Sequence, residues 1–171
     1  PGLFEQANGG SLLLDEINSM NINLQPKLLR VLQEGTVRRV GSTRERKVDV
    51  RVLSNINIPP EEALAAHKLR QDLYFRLGVV GIRIPPLRER KEDIPLLVQS
   101  FIARYNKQLE RNVQTVDPHV LDIFTHYDWP GNVRELQHAI EYAMNMLPEK
   151  RATLTVECLP EHFVNMEVPV S

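Results

Sequence analysis

Gly9-Gly10-Ser11-Leu12-Leu13-Leu14-Asp15-Glu16 is an apolar run that glycines punctuate at its start and two carboxylates cut off at its end. A continuous apolar run of this length between turn signals reads as a buried parallel strand that delivers Asp15 and Glu16 at its C-terminal end. The period changes immediately downstream. Leu24, Leu28, Val31 and Leu32 recur at helical spacing, with Asn23 placed as N-cap, Pro26 in the first turn and Gly35 at the C-terminus. Strand, turn and helix in this order open an α/β unit.

Further along, Thr36–Val40 and Val48–Leu53 are rich in β-branched residues and flank a basic stretch, which predicts a strand pair with a protruding basic tip. Pro59-Pro60 opens a helix with Glu61 and Glu62 in its first turn, where the helix dipole favours acids, and another helix is expected over about 69–77. Val79–Ile84 reads as one more strand, ended by Pro85-Pro86. The composition then switches. Ile94, Leu97, Val98, Phe101, Ile102, Tyr105 and Leu109 trace one face of a long amphipathic helix. Asp117-Pro118 caps and opens a second, and after Trp129-Pro130-Gly131 a third carries Val133, Leu136, Ile140 and Met144 inward until Pro148. Residues 1–88 therefore read as α/β, 89–165 as a small all-α bundle and 166–171 as a tail.

Composition excludes several classes. Hydrophobic residues make up 42% and charged residues 25%, the balance of a folded soluble domain. No apolar run approaches the roughly 20 residues of a membrane-spanning helix. With 21 basic and 22 acidic residues the net charge is -1, so general attraction to nucleic acid is not expected. The single cysteine, Cys158, has no partner for a disulfide or a zinc site, which fits a reducing cytoplasm, and the histidines lack metal-ligand spacing.

Leu12-Leu13-Leu14-Asp15-Glu16 has the form of a Walker B element, in which a strand-end carboxylate reaches a nucleotide-bound magnesium ion. A strand ending in two solvated acids would look the same. The wider sequence carries more: GLFEQANGG, LLLDEI, QPKLLRVLQEG, RRVG, VDVRVLSNIN, LRQDLYFRL, PPLRERKEDI and YDWPGNVREL follow one another over about residues 2 to 145. In that order these segments resemble the AAA+ module of sigma-54-dependent transcription activators, the bacterial enhancer-binding proteins. The implied fold is a partial AAA+ P-loop NTPase-type parallel sheet followed by a small helical lid domain.

The resemblance implies roles at matching positions. Asp15 corresponds to the residue that holds Mg2+, directly or through water, and Glu16 to the one that polarises water for attack on the γ-phosphate of ATP. Asn57 corresponds to the sensor I amide, although Ile56 stands where most members have threonine, a variant resembling the amino-acid-catabolism branch. Arg70 and Arg76 correspond to arginines inserted into a neighbouring subunit's site, which implies a ring, and Arg134 to the sensor II arginine of the lid. The basic tip formed by Arg38, Arg39 and Arg44 to Lys47 corresponds to a hairpin that supports a loop gripping the sigma factor. Read alone, the same tip is a solvated turn or a local nucleic-acid patch, and Trp129 is a packing residue, not a base-stacking platform.

No lysine is followed by Ser or Thr, so a G-x-x-x-x-G-K-[ST] phosphate loop is not among these residues. The resemblance places that loop, and the sigma-contacting loop, upstream of Pro1, and the family's DNA-binding helix-turn-helix does not fit the residues after Val164. The chain reads as a fragment of a cytoplasmic activator that remodels sigma-54-bound RNA polymerase, with ATP and Mg2+ as cofactors and DNA bound through another domain. By itself it is expected to hydrolyse ATP negligibly and bind nucleotide weakly. The competing readings are a non-catalytic interaction module with vestigial nucleotide residues and a DNA-binding module.

Overall fold

A computed structural model describes residues 1–149 and 151–166; of the expected tail, 167–171 lie outside the described residues. The chain divides into two compact units, Pro1–Ile82 and Arg83–Ser171. The division falls a little before the switch in composition, because Leu87 is fully buried within the helical unit's own core.

In the first unit a short helix α1 (Leu3–Gln6) precedes β1 (Gly10–Leu14), and after a 3-10 turn at Ile17–Ser19 comes α2 (Gln25–Glu34). Then follow β2 (Thr36–Arg38), β3 (Glu45–Lys47), β4 (Val50–Ser54), α3 (Pro60–Ala65) and α4 (Gln71–Leu77). Strands β1 and β4 pair in parallel, Gly10 opposite Val50 through Leu14 opposite Ser54. Ile17, Leu28, Ala63, Leu69 and Leu73 form the core that the helices make with this sheet. Gly35 closes α2 in the left-handed region at φ 63°, the conformation in which glycine carries no Cβ penalty.

Four expectations change here. The N-cap position of α2 is Leu24, not Asn23, and Asn23 instead donates its backbone N–H to the side chain of Asn21. The hairpin pairs β2 with the charged segment Glu45–Lys47, antiparallel, and not with Val48–Leu53. The β-branched run is taken by the parallel pairing with β1, which gives its inward residues something to pack on. The sheet is covered on one face only: register partners Leu13 and Leu53 remain 63% and 45% exposed. Val79–Ile84 forms no strand, and Val79, Val80, Ile82 and Ile84 are all exposed. Among the described residues no strand runs beside it, and an extended segment without a neighbour has no partners for its peptide groups.

The second unit opens with 3-10 turns at Leu87–Glu89 and Lys91–Asp93, followed by α5 (Ile94–Gln108), β5 (Thr115–Val116), α6 (Pro118–His126) and α7 (Asn132–Met146). It ends with β6 (Thr153–Leu154), a turn at Val156–Cys158 and α8 (Glu161–Val164). The apolar stripes of α5, α6 and α7 face one another, burying Val98, Ile102, Val120, Phe124, Leu136, Ile140 and Met144. The Asp117 carboxylate accepts from the His119 N–H at 2.9 Å, capping α6. A two-residue parallel contact between β5 and β6 ties the α5–α6 connection to the segment after α7.

Trp129 is fully buried, packed edge-on to Phe124 at 5.3 Å and Tyr127 at 5.0 Å, and its indole N–H donates to the Phe124 carbonyl at 2.7 Å. It is a packing residue. Among the described residues no helix is long and apolar enough to cross a membrane.

Candidate functional site

The parallel register of β1 and β4 sets their C-terminal ends side by side, the place where open α/β sheets carry their sites. Asp15 and Glu16 leave β1, and Asn55 and Asn57 leave β4. The two ends are stitched by backbone bonds, Asn55 N–H to the Leu14 carbonyl at 3.1 Å and Ile17 N–H to the Asn55 carbonyl at 3.0 Å.

Side chains tighten the stitch. The Asn55 amide nitrogen donates to Asp15 Oδ1 at 2.7 Å, and its oxygen accepts from the Glu16 N–H at 2.6 Å. Both ends of that carboxamide are therefore committed to holding the acid pair. Glu16 sits in the left-handed region at φ 49°, ψ 54°, a conformation that costs a non-glycine residue about 1 kcal/mol or more and that clusters at functional sites. One residue turn further, Asn18 donates to Asn57 Oδ1 at 2.7 Å. Asp15, Glu16 and Asn57 are exposed, so the cluster faces outward.

Arg70 and Arg76 lie at the two ends of α4, each engaged within the chain. Arg70 forks onto Asp72 at 3.0 and 2.7 Å, which pushes the guanidinium pKa up and the Asp72 carboxyl down from its usual range. Arg76 donates twice to the Leu32 carbonyl in the last turn of α2. The backbone of Arg70 is fixed by Gln25, which is fully buried. Gln25 Oε1 accepts from the Arg70 N–H at 2.9 Å, and Nε2 donates to the Lys68 carbonyl at 2.9 Å and the Met20 carbonyl at 3.2 Å. No hydrogen bond joins either arginine to the strand-end cluster among the described residues.

Arg134 belongs to the second unit, in the first turn of α7, and is exposed with no ion pair among the described residues. Its candidate acidic partners are occupied: Glu135 accepts from the Gly131 N–H at 2.8 Å and the Tyr127 hydroxyl at 3.1 Å, and Glu141 from the Tyr105 hydroxyl at 2.9 Å. Burial, and then the Glu135 carboxylate, push the Tyr127 phenol pKa up. The turn before the helix is tight, with Trp129 and Asn132 both at positive φ and the Asn132 side chain accepting from the Leu87 N–H at 2.8 Å.

The basic hairpin is anchored at Glu5 of α1. Its carboxylate accepts from Arg39 at 2.9 and 2.8 Å and lies 3.4 Å from Arg46. The bond to Arg39 holds the carboxyl near a pKa of about 2.

Asn18, Gln25, Asn55 and Glu5 carry no signal in the sequence that would single them out; each acts through a partner some 34–45 residues away. The described residues contain no group of three or more His, Cys, Asp or Glu arranged to hold a metal ion by themselves. A magnesium ion needs only one or two protein carboxylates when phosphates supply other ligands. The hard oxygen donors of Asp15 are of the kind such an ion takes, and its Oδ1 is steadied by Asn55.

The sequence pattern of the Sigma-54 interaction domain matches residues 1–83, and that of the AAA+ ATPase lid domain matches residues 88–169. The chain is similar to the transcriptional activator RocR of Bacillus subtilis, 53% identical over 163 residues that cover 95% of this chain and 35% of RocR. Similarity to the regulatory protein XylR of Pseudomonas putida is 46% over 158 residues, 92% of this chain and 28% of XylR. Among solved structures, NtrX from Brucella abortus in complex with ATP superposes with a TM-score of 0.87 at 35% identity, over 95% of this chain and 38% of NtrX. The chain thus spans about a third of the length of the relatives it matches.

Proposed function

This chain belongs to the AAA+ module family of sigma-54-dependent transcription activators, and we propose that it supplies the strand-end and lid parts of an ATP-hydrolysing site in a longer activator that remodels sigma-54-bound RNA polymerase. The observation that carries the reading is the locked acid pair: one carboxamide, Asn55, fixes both Asp15 and the backbone of Glu16 at the end of a parallel strand.

In this reading Asp15, directly or through water, holds Mg2+ on the phosphates of ATP. The bound ion would neutralise charge on the β- and γ-phosphates. Glu16 takes the proton of the attacking water, a contribution typically worth about 10²–10⁴-fold in rate. Its left-handed backbone takes the residue out of the strand's alternation, which would otherwise send its carboxylate to the face opposite that of Asp15. Asn57 offers a neutral hydrogen-bonding group to the γ-phosphate or the water.

Arg70 and Arg76 act in a neighbouring subunit's site, where a guanidinium fork meets charge spreading over the γ-phosphate oxygens. Arg70 then exchanges its exposed fork on Asp72 for the neighbour's phosphate. Arg134, at a helix N-terminus and free of ion pairs among the described residues, is suited to bind phosphate from the lid. The partners are a sigma-54-type factor with RNA polymerase, further copies of the protein in a ring, and DNA through a separate domain.

The second reading, a non-catalytic interaction module, draws on Arg70 and Arg76 both being engaged inside one chain. One experiment separates the two. ATP turnover and nucleotide binding are measured on the full-length protein with Asp15→Ala and Glu16→Gln. The ATPase reading expects Asp15→Ala to abolish the magnesium-dependent response, and Glu16→Gln to bind ATP while turning over at least ~10²-fold more slowly. Turnover unchanged by both substitutions would leave the interaction module standing.

A further inference from the structure

Asn18 is 7% exposed, and apart from Gln25 it is the buried polar residue of this chain among the described residues. Burying a carboxamide is costly unless its groups are paired. Here only half is paired: Nδ2 donates to Asn57 Oδ1 at 2.7 Å, while Asn18 Oδ1 is buried with no hydrogen-bond partner. The orientation follows a simple preference. A buried carbonyl oxygen without a partner is tolerated better than a buried N–H without one. Turning Asn18 over would bury unpaired N–H groups instead.

The consequence falls on Asn57. Its oxygen is turned toward Asn18 and accepts from it, while its NH2 has no partner among the described residues and is the donor it offers. Asn55, the other strand-end amide, is different: both its ends are used within the protein. Of the two, Asn57 alone presents a donor with nothing bound to it among the described residues. Phosphate oxygens and an attacking water oxygen accept hydrogen bonds. An Asn57 turned the other way would set oxygen lone pairs against them.

We infer that Asn18 is a positioning residue, which by engaging Asn57 Oδ1 holds the Asn57 carboxamide with its N–H groups toward an acceptor oxygen of the triphosphate or its attacking water. This rests on the ATPase reading above and adds to it the polarity of the Asn57 contact and the residue that sets it. Asn18 touches neither nucleotide nor water; it acts through Asn57 only. Its neighbour Ile56 is apolar, so Asn57 is the polar side chain of that pair.

The test is a double-mutant cycle in the full-length protein, reading steady-state kcat and KM for ATP for Asn18→Ala, Asn57→Ala and the pair, with Asp15→Ala alongside. Asn18→Ala is expected to lower kcat about tenfold with KM changed less than about twofold, the pattern of an interaction used in the transition state. In the Asn57→Ala background the same substitution is expected to change kcat less than about twofold, because there is no amide left to orient. A residue that only supports the fold would reduce kcat equally in both backgrounds, and that result overturns the inference, as does Asn18→Ala with unaltered kcat.

Should Asn18→Ala fail to fold, Asn18→Asp keeps the shape and loses the donor. It is expected to slow turnover at least five times more with Asn57 present than with Asn57→Ala, and equal slowing in the two backgrounds overturns the inference. Asp15→Ala separates the levels of failure. If it retains turnover, the ATPase reading itself falls; if it abolishes turnover while Asn18 proves indifferent, only the positioning role falls.

Discussion

Gly131→Ala tests how the turn before α7 holds its first residues, Arg134 among them. The backbone of Gly131, at φ -86° and ψ 8°, has negative φ and the angles of position i+2 of a type I turn, which alanine can adopt, so the main cost comes from contact. A Cβ there would stand 2.8 Å from Glu135 Cβ and 3.3 Å from its Oε2. Carbon pairs are most favourable at about 3.5–4.0 Å, so roughly 0.7–1.2 Å must be found. Rotation of Glu135 cannot supply it, because its Cβ is fixed to the helix. The first turn of α7 must shift, and with it the bonds from Glu135 to the Gly131 N–H and the Tyr127 hydroxyl.

Overpacking of this kind costs about 1–3 kcal/mol. For a unit of this size about 2 kcal/mol lowers the melting temperature by roughly 8–16 °C. Trp129, the single tryptophan and wholly buried in this unit, reports the transition by fluorescence without contribution from the other unit. Placed in a Glu135→Gly background, which removes the opposing Cβ, the Gly131→Ala step is expected to cost less than about 0.5 kcal/mol. A melting temperature within about 2 °C of the parent for Gly131→Ala alone would refute the contact argument.

Two further outcomes are expected. Gln25→Met keeps the volume and removes three hydrogen bonds, leaving the Arg70 N–H and the Met20 and Lys68 carbonyls unpaired. Urea unfolding followed by circular dichroism should show a loss on the order of 3 kcal/mol, and a loss below about 1 kcal/mol would mean the three groups find other partners. Glu5 titrates in the folded chain at about 2, below its ordinary 4.5, chiefly through its bond to Arg39. A lowered carboxyl pKa stabilises above the unfolded value, so the anchoring of the hairpin is complete above 4.5 and lost as pH falls toward about 2. Protection of the β2 and β3 amides, taken as the exchange rate relative to the intrinsic rate at each pH, should fall over that window and change much less across it in Glu5→Gln.

The local pattern carried far in this chain. Helical spacing placed α2, α5, α6 and α7, the proline and aspartate signals placed the start of α6, and an apolar run cut off by acids placed β1 with Asp15 and Glu16 at its end. Pairing partners were less legible. The run Val48–Leu53 has the composition of either a hairpin strand or a parallel core strand, and composition favoured its nearest neighbour in sequence. The hairpin that formed uses Glu45–Lys47, whose strand propensity is poor, because Glu5 gathers Arg39 and Arg46 from 34 and 41 residues away. Val79–Ile84 shows the converse, a segment with strand composition that finds no neighbouring strand among the described residues.

An apolar run cut off by two acids is a local fact of order and spacing, legible at Leu12 to Glu16, whereas Asn57 stands out only through the family resemblance and not through the residue pattern alone. How these groups are held depends on contacts that form when the chain folds. Asn55, Asn18 and Gln25 are ordinary polar residues in the one-dimensional pattern, and each acquires its work from a partner about 40 residues distant. The physical reason is that hydrogen-bond polarity is a property of a pair: which end of an amide faces the site is fixed by what occupies the other end, and that neighbour exists only once β1 and β4 lie side by side.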